Sequence, residues 1–256
     1  MGPFPFSERL KGTMVKKNGK KGAPTWDLWG HYHCILGLLL WYEETGDENA
    51  LVACTKTADY ICKRFLDSDE KVIDTGEPDK NMAVIHVFTL LYKHLGIKKY
   101  LKMAEEIMEE FKIPPAGNYI ETALSGLEFF KTPQPRWESL HSIQGIGELY
   151  YITGNEKFRH AFEHIWWSLL KCDRHNTGGL CSGEKATGNP YDLRAIETCC
   201  TVAWVALSVE MLCLTSLSKV GDELELSLFN AVLGAQHPSG RWWTYNTPMD
   251  GVRKAS

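Results

Sequence analysis

Four segments of the sequence repeat one pattern: WYEETGDENALVAC, LYKHLGIKKYLKMA, LYYITGNEKFRHAF and TSLSKVGDELELSLF. In each, an apolar helical run stops at a Gly-marked turn and a second run starts at once. The marking glycines are Gly46, Gly96, Gly154 and Gly221. Tyr42, Tyr92 and Tyr150 precede the first three by four residues, and Leu217 precedes the fourth by the same distance. Four residues are about one helical turn, so each of these side chains shares a face with its turn. A glycine in that place takes the left-handed conformation that ends a helix without steric penalty. Intervals of 50, 58 and 67 residues between the glycines suit a helix pair plus a connection that lengthens along the chain. Two runs show the i, i+3, i+4, i+7 spacing of a one-sided helix: Ile85, Phe88, Leu91, Tyr92 and Leu95, and Leu101, Ala104, Ile107, Met108 and Phe111. Hairpins of this kind bury their apolar faces only by stacking on one another, so the pattern predicts an all-α toroid or solenoid. About nine helices can be counted, fewer than the twelve of a closed ring of six hairpins, so the toroid is expected to be incomplete in this chain.

Chemistry concentrates in GGLCSGEKATGNPYDLRAIETCC, from Gly178 to Cys200. This lies in the longest stretch without helical periodicity, about Asp173 to Leu193, and long loops inside compact domains are usually functional. Glu184 and Glu197 stand thirteen residues apart with the turn-forming Gly188, Asn189 and Pro190 between them. The chain can therefore fold back and direct both carboxylates into one cleft. The helical run after Glu197 (Val202, Ala203, Val205, Ala206, Val209, Met211, Leu212) places ETCC at a helix start. Free backbone N–H groups and the helix dipole favour anions there, and carboxylate with thiolate is a donor set that suits zinc. Residues two apart on a regular helix face away from each other, so joint ligation by Glu197 and Cys199 requires an irregular junction. The competing readings are that Cys199 and Cys200 are small buried core residues, and that Glu184 and Glu197 form a conventional carboxylate pair.

The order GG, GE, ETC at a helix start, LFNAVLGAQ and WTYNTP resembles the β-L-arabinofuranosidases of glycoside hydrolase family 127, from about Trp26 onward. The likeness is strongest between Gly178 and Gly251. It implies an (α/α)6-barrel enzyme that cleaves terminal β-L-arabinofuranosides with retention, using a zinc-held cysteine thiolate as nucleophile and a glutamate as acid/base. By resemblance, Glu184 takes the acid/base position, Glu197 and Cys199 two zinc-ligand positions, and Tyr245 a sugar-contacting position. The remaining ligands of the family, one of them the nucleophile, are an adjacent cysteine pair expected beyond PMDGVRKAS, so the Zn2+ ligand set is incomplete in this chain. Cys200 belongs to the first motif and does not inherit the nucleophilic role. Family histidines that bind sugar fall at His33, preferred to His31, and at His141, while the counterpart in the second repeat falls nearest Asn81, a departure. The GE-to-ETC loop is also shorter than in the best-known branch.

These readings predict an N-terminal extension or loop over residues 1–25 and part of a catalytic domain over 26–256. A net charge of −4 provides no electrostatic reason to bind nucleic acid or an anionic membrane, and neutral oligosaccharides or glycosides remain as partners. The basic cluster Lys16, Lys17, Lys20 and Lys21 lacks interleaved aromatics and reads as a solvated loop. No run is expected to reach membrane-spanning length, and MGPFPFSERLKG lacks the features of a signal peptide. Eight cysteines without a regular framework fit reduced thiols and a cytoplasmic setting. A partial toroid would expose apolar helix faces, and a catalytically silent carbohydrate-binding module on the same fold is the alternative function.

Overall fold

The computed structural model describes residue 4, residues 8–15 and residues 21–255, with the side chains of 13–15 and 21–23 left out of account. The basic cluster falls outside these residues except for the backbone of Lys21. Residues divide into two compact units, 1–118 with 148–154, and 119–147 with 155–256.

The first unit opens with a short antiparallel hairpin of β1 (Thr13–Val15) and β2 (Lys21–Pro24), in register Thr13 to Pro24 and Val15 to Lys21. This N-terminal segment is anchored: Leu10 is buried, its N–H donates to Asp27 Oδ2 at 2.8 Å, and Arg9 pairs with the same carboxylate at 3.2 Å. Helix α1 (Asp27–Thr45) then ends at Gly46, whose φ of 70° is left-handed and whose N–H returns to the Tyr42 carbonyl at 2.7 Å. The next residue, Asp47, caps α2 (Glu48–Phe65) by accepting from the Asn49 N–H at 3.0 Å. The short α3 (Pro78–Asn81) leads into α4 (Val84–Leu95), and Gly96 repeats the left-handed turn by donating to Tyr92 before α5 (Lys98–Glu110). The buried face of α4 includes Ile85, Phe88 and Leu91, and that of α5 Tyr100, Met103, Ala104 and Ile107, continued by Phe111 at its end. Tyr92, Leu95, Leu101 and Met108 sit at the margins of those faces, half-buried.

Helix α6 (Tyr119–Leu124) begins the second unit, and α7 (Ser139–Thr153) starts there and ends in the first at Gly154, which donates to Tyr150 at 2.8 Å. Asn155 caps α8 (Glu156–Cys172) through a 3.1 Å bond from the Lys157 N–H. A long loop follows, then β3 (Ile196–Glu197), α9 (Thr198–Thr215) and α10 (Ser218–Leu226), which passes into a π-helical turn (Ser227–Val232), the short α11 (Leu233–Ala235) and finally β4 (Asn246–Thr247).

The fourth hairpin turns at Ser216, not at Gly221. Ser216 has φ 54° and donates to Leu212 at 2.8 Å, whereas Gly221 lies inside α10. The tyrosine rule explains the shift: what matters is a carbonyl four residues before a left-handed residue, and Leu212–Ser216 satisfies that geometry without a glycine. Eight helices of nine residues or more occur among the described residues. The expectation that no run reaches spanning length is corrected by α9, which is long and apolar enough to cross a membrane by length and composition. Its Cys200, Ala203, Trp204, Leu207 and Met211 are buried inside the protein. Exposed apolar side chains include Trp41 on α1, Val202 and Val209 on α9, and Phe229 on the π-turn.

The core of the second unit is built on two indoles. Trp166 of α8 and Trp204 of α9 are fully buried and stacked, with centroids 5.2 Å apart and planes 21° from parallel. Each N–H finds a serine, Trp166 donating to Ser208 Oγ at 2.9 Å and Trp204 to Ser227 Oγ at 3.2 Å. Both polar handles of otherwise apolar rings are thereby satisfied, which holds the start of the π-turn against α9.

Candidate active site

The loop between α8 and α9 is tied down at each end. Asp173, buried, accepts from the Thr187 and Gly188 N–H groups at 2.7 and 2.9 Å, and burial pushes its carboxyl upward. Gly178 passes against the π-turn: the Ser227 hydroxyl donates to its carbonyl at 2.8 Å, and its φ is 84°. A Cβ at Gly178 would sit 2.7 Å from the Ser227 backbone. Gly178→Ala therefore combines left-handed strain with a clash against main chain, and should destabilise the fold by roughly 2–4 kcal/mol. Chemical denaturation measures it, and a change below about 0.5 kcal/mol would mean that the loop shifts freely.

Glu184 stands at φ 71°, a left-handed conformation unusual for a side chain with a Cβ, directly after Gly183 at φ 108°. Strain of this kind, of order 1 kcal/mol, accumulates where a side chain must be presented for function. A Cβ at Gly183 would run into the Arg194 guanidinium. Arg194 is held in turn by Asp192 at 2.7 Å, and the hydrogen bond from that guanidinium keeps the Asp192 carboxyl down at about 2. The Glu184 side chain is largely exposed and pairs with Arg136 Nη2 at 2.5 Å, while Arg136 also reaches Glu138 at 3.2 Å. A backbone bridge between Arg136 and Lys185, with the Ala186 N–H donating to Pro135 at 2.8 Å, lays the loop along the segment entering α7. Neither Arg136 nor Glu138 is among the site residues that the sequence pattern singles out. The RWE triplet before α7 was the signal available.

The second cluster forms at the start of α9. Thr198 is the first helical residue and Glu197 the N-cap, with extended φ −94° and ψ 129°. This is the irregular junction that joint ligation requires: because Glu197 is still strand, its side chain meets that of Cys199, the thiol donating to Oε1 at 3.1 Å. Strand β3 pairs with β4 in register Ile196 to Thr247 and Glu197 to Asn246. The Thr198 N–H adds a 2.8 Å bond to the Tyr245 carbonyl, and Thr198 Oγ1 one of 2.8 Å to Thr244. That pairing carries the Tyr245 hydroxyl to 2.8 Å from Glu197 Oε1 and 3.0 Å from Cys199 Sγ. Its hydrogen bonds to Cys199 and Glu197, with desolvation, push the Tyr245 phenol upward, so it acts as a donor here. Cys200 Sγ lies 3.8 Å from Cys199 Sγ. The bond to Cys199 and burial push the Cys200 thiol upward, and the Glu197 and Glu138 charges add to the effect. One donor atom each from Glu197, Cys199 and Cys200 falls within 4.8 Å of the others, a group able to hold a metal ion.

The tail from Gln236 to Tyr245 doubles back on itself. The Gly240 N–H returns to His237, the His237 N–H donates to Trp242, and Gln236 bridges to Trp243. Trp242 stacks on His237 at 4.4 Å. His141 occupies the first turn of α7, half-buried. His33 belongs to the first unit, exposed on α1 and packed edge-on against Trp29 at 4.4 Å, and desolvation lowers its imidazole. His31 is a core residue whose Nδ1 meets the Asp27 carbonyl at 2.7 Å. Asn81 is buried, its amide bonding to Gly76, Thr75 and Thr25 while its Oδ1 accepts from the Trp29 N–H. The departure from histidine at that position is thus a structural hub. His86, unnoticed in the sequence, instead meets the Tyr32 hydroxyl at 3.1 Å.

The catalytic-domain model of the GH127 β-L-arabinofuranosidases matches residues 6–256. The chain belongs to the GH127 family. A non-reducing end β-L-arabinofuranosidase of Bifidobacterium longum is 23% identical over 256 residues, covering 87% of the GH127 chain and 38% of that relative. A GH127 β-L-arabinofuranosidase from Geobacillus stearothermophilus T6 superposes with TM-score 0.70 at 22% identity, over 88% of this chain and 39% of that one. A GH76 α-1,6-mannanase of Salegentibacter shares the fold at TM-score 0.60 and 18% identity, over 87% and 64%. The expected all-α architecture of the (α/α)6-barrel type therefore stands, and the GH127 chain spans under two fifths of the length of its GH127 relatives.

Proposed function

We propose that this GH127 chain is part of a retaining β-L-arabinofuranosidase acting on the non-reducing end of a glycoside. The observation that supports the reading best is the convergence of Glu197, Cys199 and Tyr245 at the start of α9. A buried carboxylate beside thiols is a donor set that suits zinc, and Glu197 and Cys199 would hold it. Zinc bound there would supply charge that keeps thiols deprotonated at neutral pH. The Tyr245 hydroxyl, exposed beside these donors, would orient either the Glu197 carboxylate or a sugar hydroxyl.

In this reading Glu184 does the proton work. Its carboxyl gives a proton to the leaving oxygen as the anomeric bond to the aglycone breaks and a nucleophilic thiolate bonds to the anomeric carbon. The carboxylate then takes a proton from water, whose oxygen displaces the thiolate and restores the original anomeric configuration. The nucleophile is assigned to no cysteine of this chain. Because the donating carboxyl must carry its proton, the ion pair with Arg136 has to be exchanged for substrate contacts when the glycoside enters.

Cys199→Ser tests the metal reading against a conventional Glu184 and Glu197 carboxylate pair. In the whole enzyme to which this chain belongs, loss of protein-bound zinc by elemental analysis, together with loss of hydrolysis of an aryl β-L-arabinofuranoside, is expected. Unchanged zinc content and turnover would favour the carboxylate pair. Arabinoside binding without turnover in the unaltered whole protein to which this chain belongs would favour the silent carbohydrate-binding module.

A further inference from the structure

The end of α8 and the loop after it line a cavity of about 460 Å³ within the second unit, a volume in the range of small-ligand sites. Its walls include Lys171, Arg174, His175, Asn176, Tyr191 and Leu193. Tyr191 and Leu193 are 85% and 86% exposed, although the backbone that carries them is fixed. The Tyr191 N–H donates to Asn189 Oδ1 at 3.0 Å, the Asp192 N–H to the Asn189 carbonyl at 3.2 Å, and the Arg194 N–H to Asp192 Oδ1 at 2.9 Å. An aromatic ring held out on a pinned turn offers a stacking face at little cost in conformational entropy.

His175 gives an independent argument. It is 1% exposed, and its Nε2 is shielded from solvent without a hydrogen-bond partner among the described residues. A buried polar atom left unsatisfied is unfavourable, and a ligand hydroxyl at the cavity wall would satisfy it. Burial also pushes the imidazole down, so the ring is presented neutral. Charge narrows the ligand further. Lys171 already meets Glu128 at 2.6 Å and Arg174 meets Glu223 at 2.9 Å, so both lining cations are engaged and the walls suit a neutral molecule rich in hydroxyls and C–H faces. That is the chemistry of a neutral sugar.

The cavity belongs to the same loop as Glu184: Arg194, bonded to Asp192, is the side chain that a Cβ at Gly183 would strike. A carboxyl that protonates the leaving oxygen stands on the aglycone side of the reacting bond, so its loop borders the rest of a glycan chain. Resting on the reading of Glu184 as that acid, we propose that this cavity is a second carbohydrate site holding a neutral sugar of the aglycone, with Tyr191 stacked on its ring and His175 Nε2 bonded to one of its hydroxyls. The whole enzyme then favours oligosaccharides over glycosides with a short aglycone.

The probe is α-1,5-linked arabinotriose, which carries no terminal β-L-arabinofuranoside, and calorimetry on the whole enzyme to which this chain belongs reads its affinity. Tyr191→Ala should weaken binding about tenfold while Tyr191→Phe keeps it. His175→Phe should weaken it about fivefold without lowering the melting temperature, because an apolar ring replaces an unsatisfied buried nitrogen. In kinetics, the kcat/KM advantage of a trisaccharide ending in β-L-arabinofuranose over an aryl β-L-arabinofuranoside should shrink about tenfold in Tyr191→Ala. Arabinotriose affinity unchanged in Tyr191→Ala, or absent from the unaltered enzyme, would overturn the site and leave the glycosidase reading standing. Binding that depends on Tyr191 in a protein that hydrolyses no β-L-arabinofuranoside would support the sugar site and remove the glycosidase reading.

Discussion

Glu184→Gln, made in the whole enzyme to which this chain belongs, is expected to lower kcat on an unactivated β-L-arabinofuranoside by between about 100-fold and about 10,000-fold, the usual contribution of a general acid/base. The substitution keeps the size and left-handed backbone of Glu184 while removing the proton it would exchange, so the melting temperature should hardly move. Its charge partner argues the same way: the side chain is largely exposed, and the pair with Arg136 is a surface ion pair of small energetic weight. The kinetic signature separates acid/base loss from a general disturbance. Aryl glycosides with good leaving groups need little protonic help, so their first step should survive, and added azide should restore turnover by attacking without base assistance. A loss independent of the leaving group, with no azide effect, would assign the proton work elsewhere. Glu138, bonded to the same guanidinium, would then be the next residue to replace.

Trp166→Ala should be the most destabilising single change, by about 3–5 kcal/mol, a large part of the roughly 5–15 kcal/mol that holds a typical domain folded. The indole is fully buried, stacks on Trp204 and donates to Ser208, so its removal opens a cavity and strands a hydroxyl. Trp204 in turn bonds to Ser227, against which Gly178 and the site loop pack. Trp166→Phe retains most of the apolar contact and loses the hydrogen bond, for which about 1–2 kcal/mol is expected. Urea denaturation of both variants gives the comparison, and equal losses would mean that the bond to Ser208 dominates over packing.

How much of this was legible beforehand follows from the range over which each physical cause acts. The hairpin turns at Gly46, Gly96 and Gly154 were readable because a left-handed residue and the carbonyl four positions earlier lie within one turn of chain. Ser216 escaped because that geometry needs no glycine when the strain is tolerated, and Gly221 stood nearby as a false signal. The helix start at Thr198 was likewise readable from apolar periodicity, and so was the requirement that Glu197 lie outside regular helix. The roles of Glu184, Glu197, Cys199, His33, His141 and Tyr245 came from resemblance to a family and not from spacing.

The features written into the chain are therefore local: helix faces, three of the four turns, and a carboxylate and thiol motif at the start of α9. Which distant groups meet depends on the packing of whole elements. Pairing of β3 with β4 brings Tyr245 to Glu197 across 48 residues, and the bridge at Lys185 brings Arg136 to Glu184 across another 48. The same packing makes Asn81 a buried hydrogen-bond hub and turns the Cys200 sulfur toward Cys199. Backbone periodicity reports hydrogen bonds that close within a few residues, whereas these contacts depend on how whole elements pack, and no short stretch of sequence encodes that.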